Sequence, residues 1–265
     1  MKLIENPCDP ATLDPLLWKP AKQKDGWFSK WFSSPYYPIL YKKRDFQEAE
    51  AFIALALEKL ALSPRSKVLD LACGRGRHAR FLRQFGHSVS GYDLSKESIS
   101  DANRFSDEEL HFYVHDMRQP FPHRDFDAVL NLFTSFGYFQ DVRENCVTFL
   151  NIAKATKPGG YLVLDYLNAT EVIANLVTSE SFNTGDIAFK IRRYVEKGRV
   201  FKHIAIQDGE HFEEHTEAVQ LLSHQYFTQT MAEVGYTVIE EWGDYKGNAF
   251  EPDISKRLII VAQKN

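Results

Sequence analysis

Residues 68–82 read VLDLACGRGRHARFL, and this run decides the fold. The first part, VLDLAC (68–73), is a short and mostly apolar strand of the buried kind that parallel sheets use. The GRGRH that follows is a loop opening a helix, which runs through about Phe85 and is capped by Gly86. Glycine at positions 74 and 76 lets the backbone approach a ligand closely, and the helix start offers free N–H groups.

Outward from that joint the same rhythm repeats. HSVSGYD (87–93) is the next strand, Ser95 is placed to cap a helix through about Arg104, and LHFYVHD (110–116) is a third strand. DAVLNLF (127–133) is a fourth, residues 141–156 a helix, and YLVLDYL (161–167) a fifth after a Lys157-Pro158-Gly159-Gly160 turn. Strands alternating with helices in this way specify an α/β doubly wound parallel sheet. Upstream, Phe46, Ala49, Phe52, Ile53, Ala56, Leu57 and Leu60 recur at spacings of three and four, an amphipathic helix over residues 45–61 that ends before Ser63-Pro64.

Beyond a short helix near residues 170–178 the pattern changes. Residues 186–222 alternate apolar and polar side chains, with Gly185, Gly198 and Gly209 as punctuation, which predicts two or three antiparallel strands. A helix from about Tyr226 to Val234 and two final strands, YTVIEEW and KRLIIVAQK, return the chain to the main sheet. At the other end, Trp18, Trp27, Phe28, Trp31, Phe32, Tyr36, Tyr37 and Tyr41 crowd into a segment too aromatic for a solvated tail. The expected division is an N-terminal aromatic cap over residues 1–43 and an α/β domain over 44–265 that carries a β insertion at about 185–222.

Composition narrows the function. The chain has 265 residues, 44% apolar and 26% charged, which is ordinary globular material. Its 32 Lys+Arg against 36 Asp+Glu leave a net charge of −4, so it has no global basic field and a dedicated DNA binder is disfavoured. Cys8, Cys73 and Cys146 are too few and too widely spaced for a disulfide framework or a CxxC metal site, which fits a reducing, cytoplasmic setting. No run approaches the roughly 20 apolar residues of a membrane-spanning helix, and the N-terminus lacks the apolar core of a signal peptide. His211-Phe-Glu213-Glu214-His215 fits an H-x-x-E-H zinc pattern, but that pattern needs a helix and this segment lies between β signals, so no metal is expected.

The glycine loop alone is ambiguous, because Gly74-x-Gly76-x-x-Ala79 also satisfies a loose dinucleotide fingerprint. Three neighbours bear on the choice. Asp70 sits inside the strand just before the glycines, where a carboxylate repels a pyrophosphate and suits a cationic ligand. Asp93 ends the second strand 23 residues on (93 − 70), placed to accept from both hydroxyls of a ribose, which suits either ligand. Asp116 and Met117 follow the third strand and offer a carboxylate to an exocyclic amine and a thioether to a purine face. Together they describe an adenosine with a positively charged tail.

At these residues the chain resembles the class I S-adenosylmethionine-dependent methyltransferases. VLDLACGRGRHARFL resembles the first motif of that family, GYDLS its acidic ribose motif, HDM its adenine motif, and FDAVLNLFTSFGYF the strand-four segment lining the transfer site. The likeness covers roughly residues 65–167 and, with KRLIIVAQK as the usual reversed last strand, implies a Rossmann-like seven-stranded sheet with a small antiparallel β insertion. The departure is Ala72, where many members have glycine.

The resemblance implies S-adenosyl-L-methionine as cofactor. Asp70, Ala72, Gly74 and Gly76 would form its loop, Asp93 and Leu94 would hold the ribose, Asp116 and Met117 the adenine, and Asn131 would supply backbone near the sulfonium. Tyr36 and Tyr41 would close over the methionine end, with Arg44 a carboxylate partner. Strand four lacks the Asn/Asp-Pro-Pro-aromatic grip of base methyltransferases, and the insertion with its aromatic segment is similar to small-molecule N-methyltransferases acting on amino sugars or glycine. The expected partner is therefore a small-molecule acceptor, methylated at N or O. Its binding residues are sought at Tyr138, Tyr166, Asn168, Arg192 and Tyr245, where strand ends or the insertion should face the crevice. Spacing assigns no catalytic base among His203, His211, His215 and His224, and none of it bears on oligomeric state. A methyltransferase of tRNA or protein, and a nicotinamide-dependent oxidoreductase, stay open as alternatives.

Overall fold

A computed structural model describes residue 3, residues 26–41 and residues 46–265. Cys8, Trp18, Lys42, Lys43 and Arg44 therefore lie outside the described residues. Two short helices, α1 (Trp27–Ser33) and α2 (Tyr36–Leu40), precede the long helix α3 (Phe46–Leu60). The central unit then runs β1 (Lys67–Leu71), α4 (Arg77–Gln84), β2 (Ser88–Asp93), α5 (Lys96–Ala102), β3 (Leu110–Val114), β4 (Phe126–Asn131), α6 (Val142–Ala155) and β5 (Thr156–Leu167). After α7 (Ala169–Ala174) come β6 (Ser179–Thr184), β7 (Ile187–Glu196), β8 (Arg199–Asp208) and β9 (His211–Gln220), and the chain closes with α8 (His224–Glu233), β10 (Tyr236–Trp242) and β11 (Arg257–Lys264).

The main sheet has seven strands in the order β10-β11-β5-β4-β1-β2-β3. All of its pairings are parallel except those of β11, which runs antiparallel to both β5 and β10. Alternation along each strand sorts side chains between two apolar layers. Leu162, Leu164 and Tyr166 of β5, with Leu258 and Ile260 of β11, pack with Phe149 of α6 and Phe227 of α8. Val163, Ile259 and Val261 point the other way, to Phe52 and Ile53 of α3 and Leu82 of α4. Strand β1 lies between β2 and β4, so the order reverses beside it, and the crevice of a doubly wound fold opens at the carboxyl ends of these strands.

Two local expectations are corrected. Lys157-Pro158-Gly159-Gly160 is not a turn before β5 but a bulge inside it: Phe126 pairs with Thr156 while Ala128 pairs with Tyr161. The antiparallel unit has four strands, not two or three, ordered β6-β7-β8-β9 and beginning at Ser179, because the exposed, polar β6 carries no apolar alternation to betray it. On one face of this second sheet, Phe189, Ile191, Ile204 and Ile206 form a small core of their own with Trp31 and Tyr36 of the first two helices. The H-x-x-E-H run lies on β9, where Glu213 meets His211 at 2.9 Å and His215 at 3.0 Å.

Candidate functional site

A cavity of about 630 Å3 lies beyond the ends of β1, β2, β3 and β4, within the size range of small-molecule sites. At the end of β1, the buried Asp70 accepts the backbone N–H of Ala79 at 3.0 Å. Ala79 lies in the first turn of α4, whose N-cap is Gly76 with no side-chain cap of its own, so the strand supplies the missing acceptor. Ala72 adopts φ 62° and Gly76 φ 77°, the left-handed region that glycine enters freely and alanine does not. At Gly76 a Cβ would also meet the Phe112 ring at 2.6 Å, so the turn cannot widen. Asp70, Ala72, Cys73 and Gly74 line the cavity, whereas Gly76 lies behind them as the hinge of the turn.

Burial raises the Asp70 carboxyl to about 7, and the nearby Asp93 pushes it the same way. Asp93 is raised too, by burial, against the backbone N–H groups that hold it. Gly74 N donates to its Oδ2 at 2.8 Å and Ser95 N to its Oδ1 at 2.8 Å. This one side chain thus ties the β1 loop to the start of α5, and Leu94 lines the cavity beside it. The Cys73 thiol is buried and pushed well up by burial and by Asp70, so it fills space and is no nucleophile.

Asp116 and Met117 line the third side. Both oxygens of Asp116 are gripped by Arg118, Nε to Oδ1 at 3.0 Å and Nη2 to Oδ2 at 2.6 Å, and Arg118 Nη1 reaches Glu144 at 2.8 Å. The carboxylate expected to await an amine is therefore the half-buried corner of an ion triad whose other two members, Arg118 and Glu144, are buried. His115, which also lines the cavity, has its imidazole lowered by burial and so is held neutral.

Strand β4 ends in an unusual turn. Phe133 and Thr134 both have φ 59°, two consecutive left-handed residues without glycine. Asp165, fully buried on β5, holds them: Phe133 N donates to Oδ2 at 2.7 Å and Thr134 N to the Asp165 carbonyl at 3.0 Å. Arg257 donates to the Asp165 carboxylate at 2.8 and 2.6 Å and to Thr134 Oγ1 at 2.8 Å. The Phe133 ring so fixed faces the cavity and stacks with His78 at 5.1 Å and Tyr245 at 5.0 Å. Asn131 does not reach the cavity; its amide binds the Leu71 carbonyl at 3.0 Å, locking β4 to β1, and Leu132 and Phe133 form the wall instead.

The first two helices roof the cavity with Phe28, Phe32, Tyr37 and Tyr41. Tyr138, in the segment after β4, meets Trp27, Phe28 and Phe32 of the roof at ring separations of 5.1, 6.2 and 5.8 Å. The roof is anchored on the second sheet by Glu217, which accepts from Trp31 Nε1 at 2.6 Å and from the Tyr41 hydroxyl. Tyr41 thus lines the cavity with its ring, while Tyr36 is away from it, donating to Asp208 at 3.0 Å.

Of the positions sought for an acceptor, Tyr138 alone lines the cavity. Tyr166 points to the α8 side of β5 and donates to the Gln220 carbonyl at 2.6 Å. Asn168 caps α7 and binds the carbonyls of Pro252 and Ser255. Arg192 is exposed on β7, and Tyr245 supports Phe133 from behind, with its hydroxyl 3.0 Å from Asp165. Sequence reasoning passed over Phe133, His78, Arg77, Ser135 and Phe139 as individual lining residues; the signal was their place in the loops just after β1 and β4.

A family model described as a methyltransferase domain matches residues 41–241. The dTDP-3-amino-3,4,6-trideoxy-alpha-D-glucopyranose N,N-dimethyltransferase of Streptomyces venezuelae is 32% identical over 49% of this chain and 54% of its own length. The glycine/sarcosine N-methyltransferase of Aphanothece halophytica is 27% identical over 91% of this chain and 89% of its own. Among solved structures, an S-adenosylmethionine-dependent methyltransferase from Clostridium acetobutylicum superposes with a TM-score of 0.75 at 18% identity, over 87% of this chain and 96% of the other.

Proposed function

The chain belongs to the class I S-adenosylmethionine-dependent methyltransferases, and from that membership we propose that it methylates a nitrogen or oxygen of a small molecule. The observation that carries the cofactor assignment is Asp70. Among the described residues no cationic side chain forms an ion pair with this buried carboxylate; the Ala79 N–H and the charge of Arg77 favour its ionised form, and burial outweighs both at the edge of the cavity. A cationic ligand relieves that cost; a pyrophosphate would add to it. Asp93, already an acceptor for two N–H groups, has lone pairs left for a ribose, and the thioether of Met117 suits a purine face.

The sulfonium of the cofactor supplies a methyl on an activated leaving group. The chain's own residues then have three tasks. The loop of Ala72, Cys73 and Gly74 and the carboxylates of Asp70 and Asp93 fix the donor. Phe133, locked by Asp165 and Arg257, and Tyr138 form the wall against which an acceptor lone pair is aligned. The aromatic roof of Phe28, Phe32, Tyr37 and Tyr41 would keep bulk water away from the bound cofactor's methyl while an acceptor lone pair lies in line with it. The named activities of the relatives on amino-sugar and glycine nitrogen support a small acceptor. So does the roof over the cavity, which suits a small molecule more than a polymer.

Calorimetric titration with S-adenosylhomocysteine, run beside NADH, tests this reading. Micromolar binding of the former alone is expected; binding of NADH alone, or of neither, overturns it.

A further inference from the structure

Resting on that reading, we propose that the methyl acceptor presents its nucleophile on a flat apolar or aromatic ring. With the cofactor's adenosine and sulfonium assigned to the ends of β1, β2 and β3, the rest of the wall includes Phe28, Phe32 and Tyr37 of the roof and Phe133, Tyr138 and Phe139 beyond β4. Phe28 and Phe32 pack on Tyr138 at 6.2 and 5.8 Å, so roof and wall form one continuous aromatic surface, which gains most from a flat guest through apolar burial and offset or edge-to-face contact.

The charges of the wall point the same way. Its described carboxylates are Asp70, Asp93 and Asp116, all at the cofactor end. Each of its described guanidinium groups is already engaged. Arg118 binds Asp116 and Glu144, Arg75 lies 3.4 Å from Asp101, and Arg77 sits 4.6 Å over the Phe133 ring with a nitrogen 3.3 Å from His78. Beside a bound cofactor, whose own carboxylate already calls for a cation, a zwitterionic amino acid needs a further free fork for its carboxylate, and a sugar nucleotide needs several cations for its diphosphate. Taking either would strip Arg77 or Arg118 from its present partners. An uncharged ring asks nothing of them. The wall is also preset: the left-handed Phe133–Thr134 turn is held by Asp165 and Arg257, so the Phe133 ring does not have to be ordered when the guest arrives.

The experiment is calorimetry on the full chain saturated with S-adenosylhomocysteine, using 2-naphthol and 2-naphthylamine as flat probes against glycine and thymidine diphosphate. The naphthyl probes are expected to bind and the two charged probes to give no heat. Phe32→Leu and Tyr138→Leu, each checked for folding, are expected to weaken naphthyl binding about tenfold. The proposal is overturned if wild-type protein that binds S-adenosylhomocysteine takes neither naphthyl probe, if glycine or thymidine diphosphate binds as well as they do, or if both leucine variants keep full affinity. Failure of S-adenosylhomocysteine itself to bind overturns the methyltransferase reading, and this one with it.

Discussion

Asp70 reaches from strand β1 to the backbone N–H of Ala79 at 3.0 Å, so a carboxylate on a strand caps the helix that follows it. The same side chain lines the cavity, and under the proposed cofactor assignment a residue in both positions would couple the ligand's charge to the order of the glycine loop.

The coupling has a pH signature. Burial raises the Asp70 carboxyl from 3.8 to about 7. Between those values the folded chain holds a proton that the unfolded chain has shed, so this group lowers stability as pH rises from about 4 to about 7 and changes it no further above. A cationic ligand favours the ionised form, so S-adenosylmethionine should bind more tightly as pH climbs toward 7, with a smaller change for uncharged-sulfur S-adenosylhomocysteine. Asp70→Asn should flatten the difference. Parallel pH profiles for the two ligands in wild-type protein would refute the assignment.

Asp93→Ala removes the tie between Gly74 and Ser95 together with the proposed ribose acceptor. A charged hydrogen-bonding group in this position contributes roughly 1.5 to 3 kcal/mol, so S-adenosylhomocysteine affinity should drop at least about tenfold. Calorimetry on a folded variant checks it, and unchanged affinity would sink the site.

Asp165→Asn leaves Arg257 without its ionic partner and loosens the Phe133–Thr134 turn. Breaking a buried pair typically costs about 3 to 5 kcal/mol, and the low end applies because Arg257 keeps 20% exposure. Tyr245→Phe removes one hydrogen bond to the same carboxylate and should cost about 1.5 kcal/mol. Urea denaturation midpoints should rank the two in that order, with S-adenosylhomocysteine affinity preserved in Tyr245→Phe.

Glu217→Ala frees Trp31 Nε1 from the second sheet and leaves the Tyr41 hydroxyl held there by the Lys202 ammonium, at 2.7 Å. Loss of about 2 kcal/mol of anchoring predicts roughly 30-fold faster amide exchange across residues 27–41, with exchange in β1 and β4 unaltered. Equal protection of residues 27–41 in variant and parent would show that the roof is held by its apolar core alone.

The loops that line the cavity after β1 and β2 were legible because their parts are local. Asp70, Gly74 and Asp93 fall in one strand-loop-helix-strand passage, and each strand end follows from the chain's own rhythm. The acceptor half was not, because it depends on which way neighbouring side chains point. On β5 a single step separates Asp165, which meets Phe133, Tyr245 and Arg257, from Tyr166, which faces α8. Choosing Tyr166 as a cavity residue picked the wrong face of a strand whose position was read correctly. The crowd of aromatics at residues 27–41 announced that something was to be covered. That Trp31 would bury itself against Ile191 and Ile204 could not be read locally, since those partners lie far along the chain.

Arg199, at the start of β8, donates to the carbonyls of Phe139 and Gln140, and Gln220, at the end of β9, holds the carbonyls of Gly137 and Phe139. The segment bearing Tyr138 is therefore clasped by the same sheet that carries the roof. In a chimera, residues 26–41, 137–140 and 179–220 would have to be inherited as a set, because each is shaped against the other two. A transplant of the antiparallel sheet alone should give a soluble hybrid that still recognises the donor nucleoside and has lost its selectivity for what it modifies.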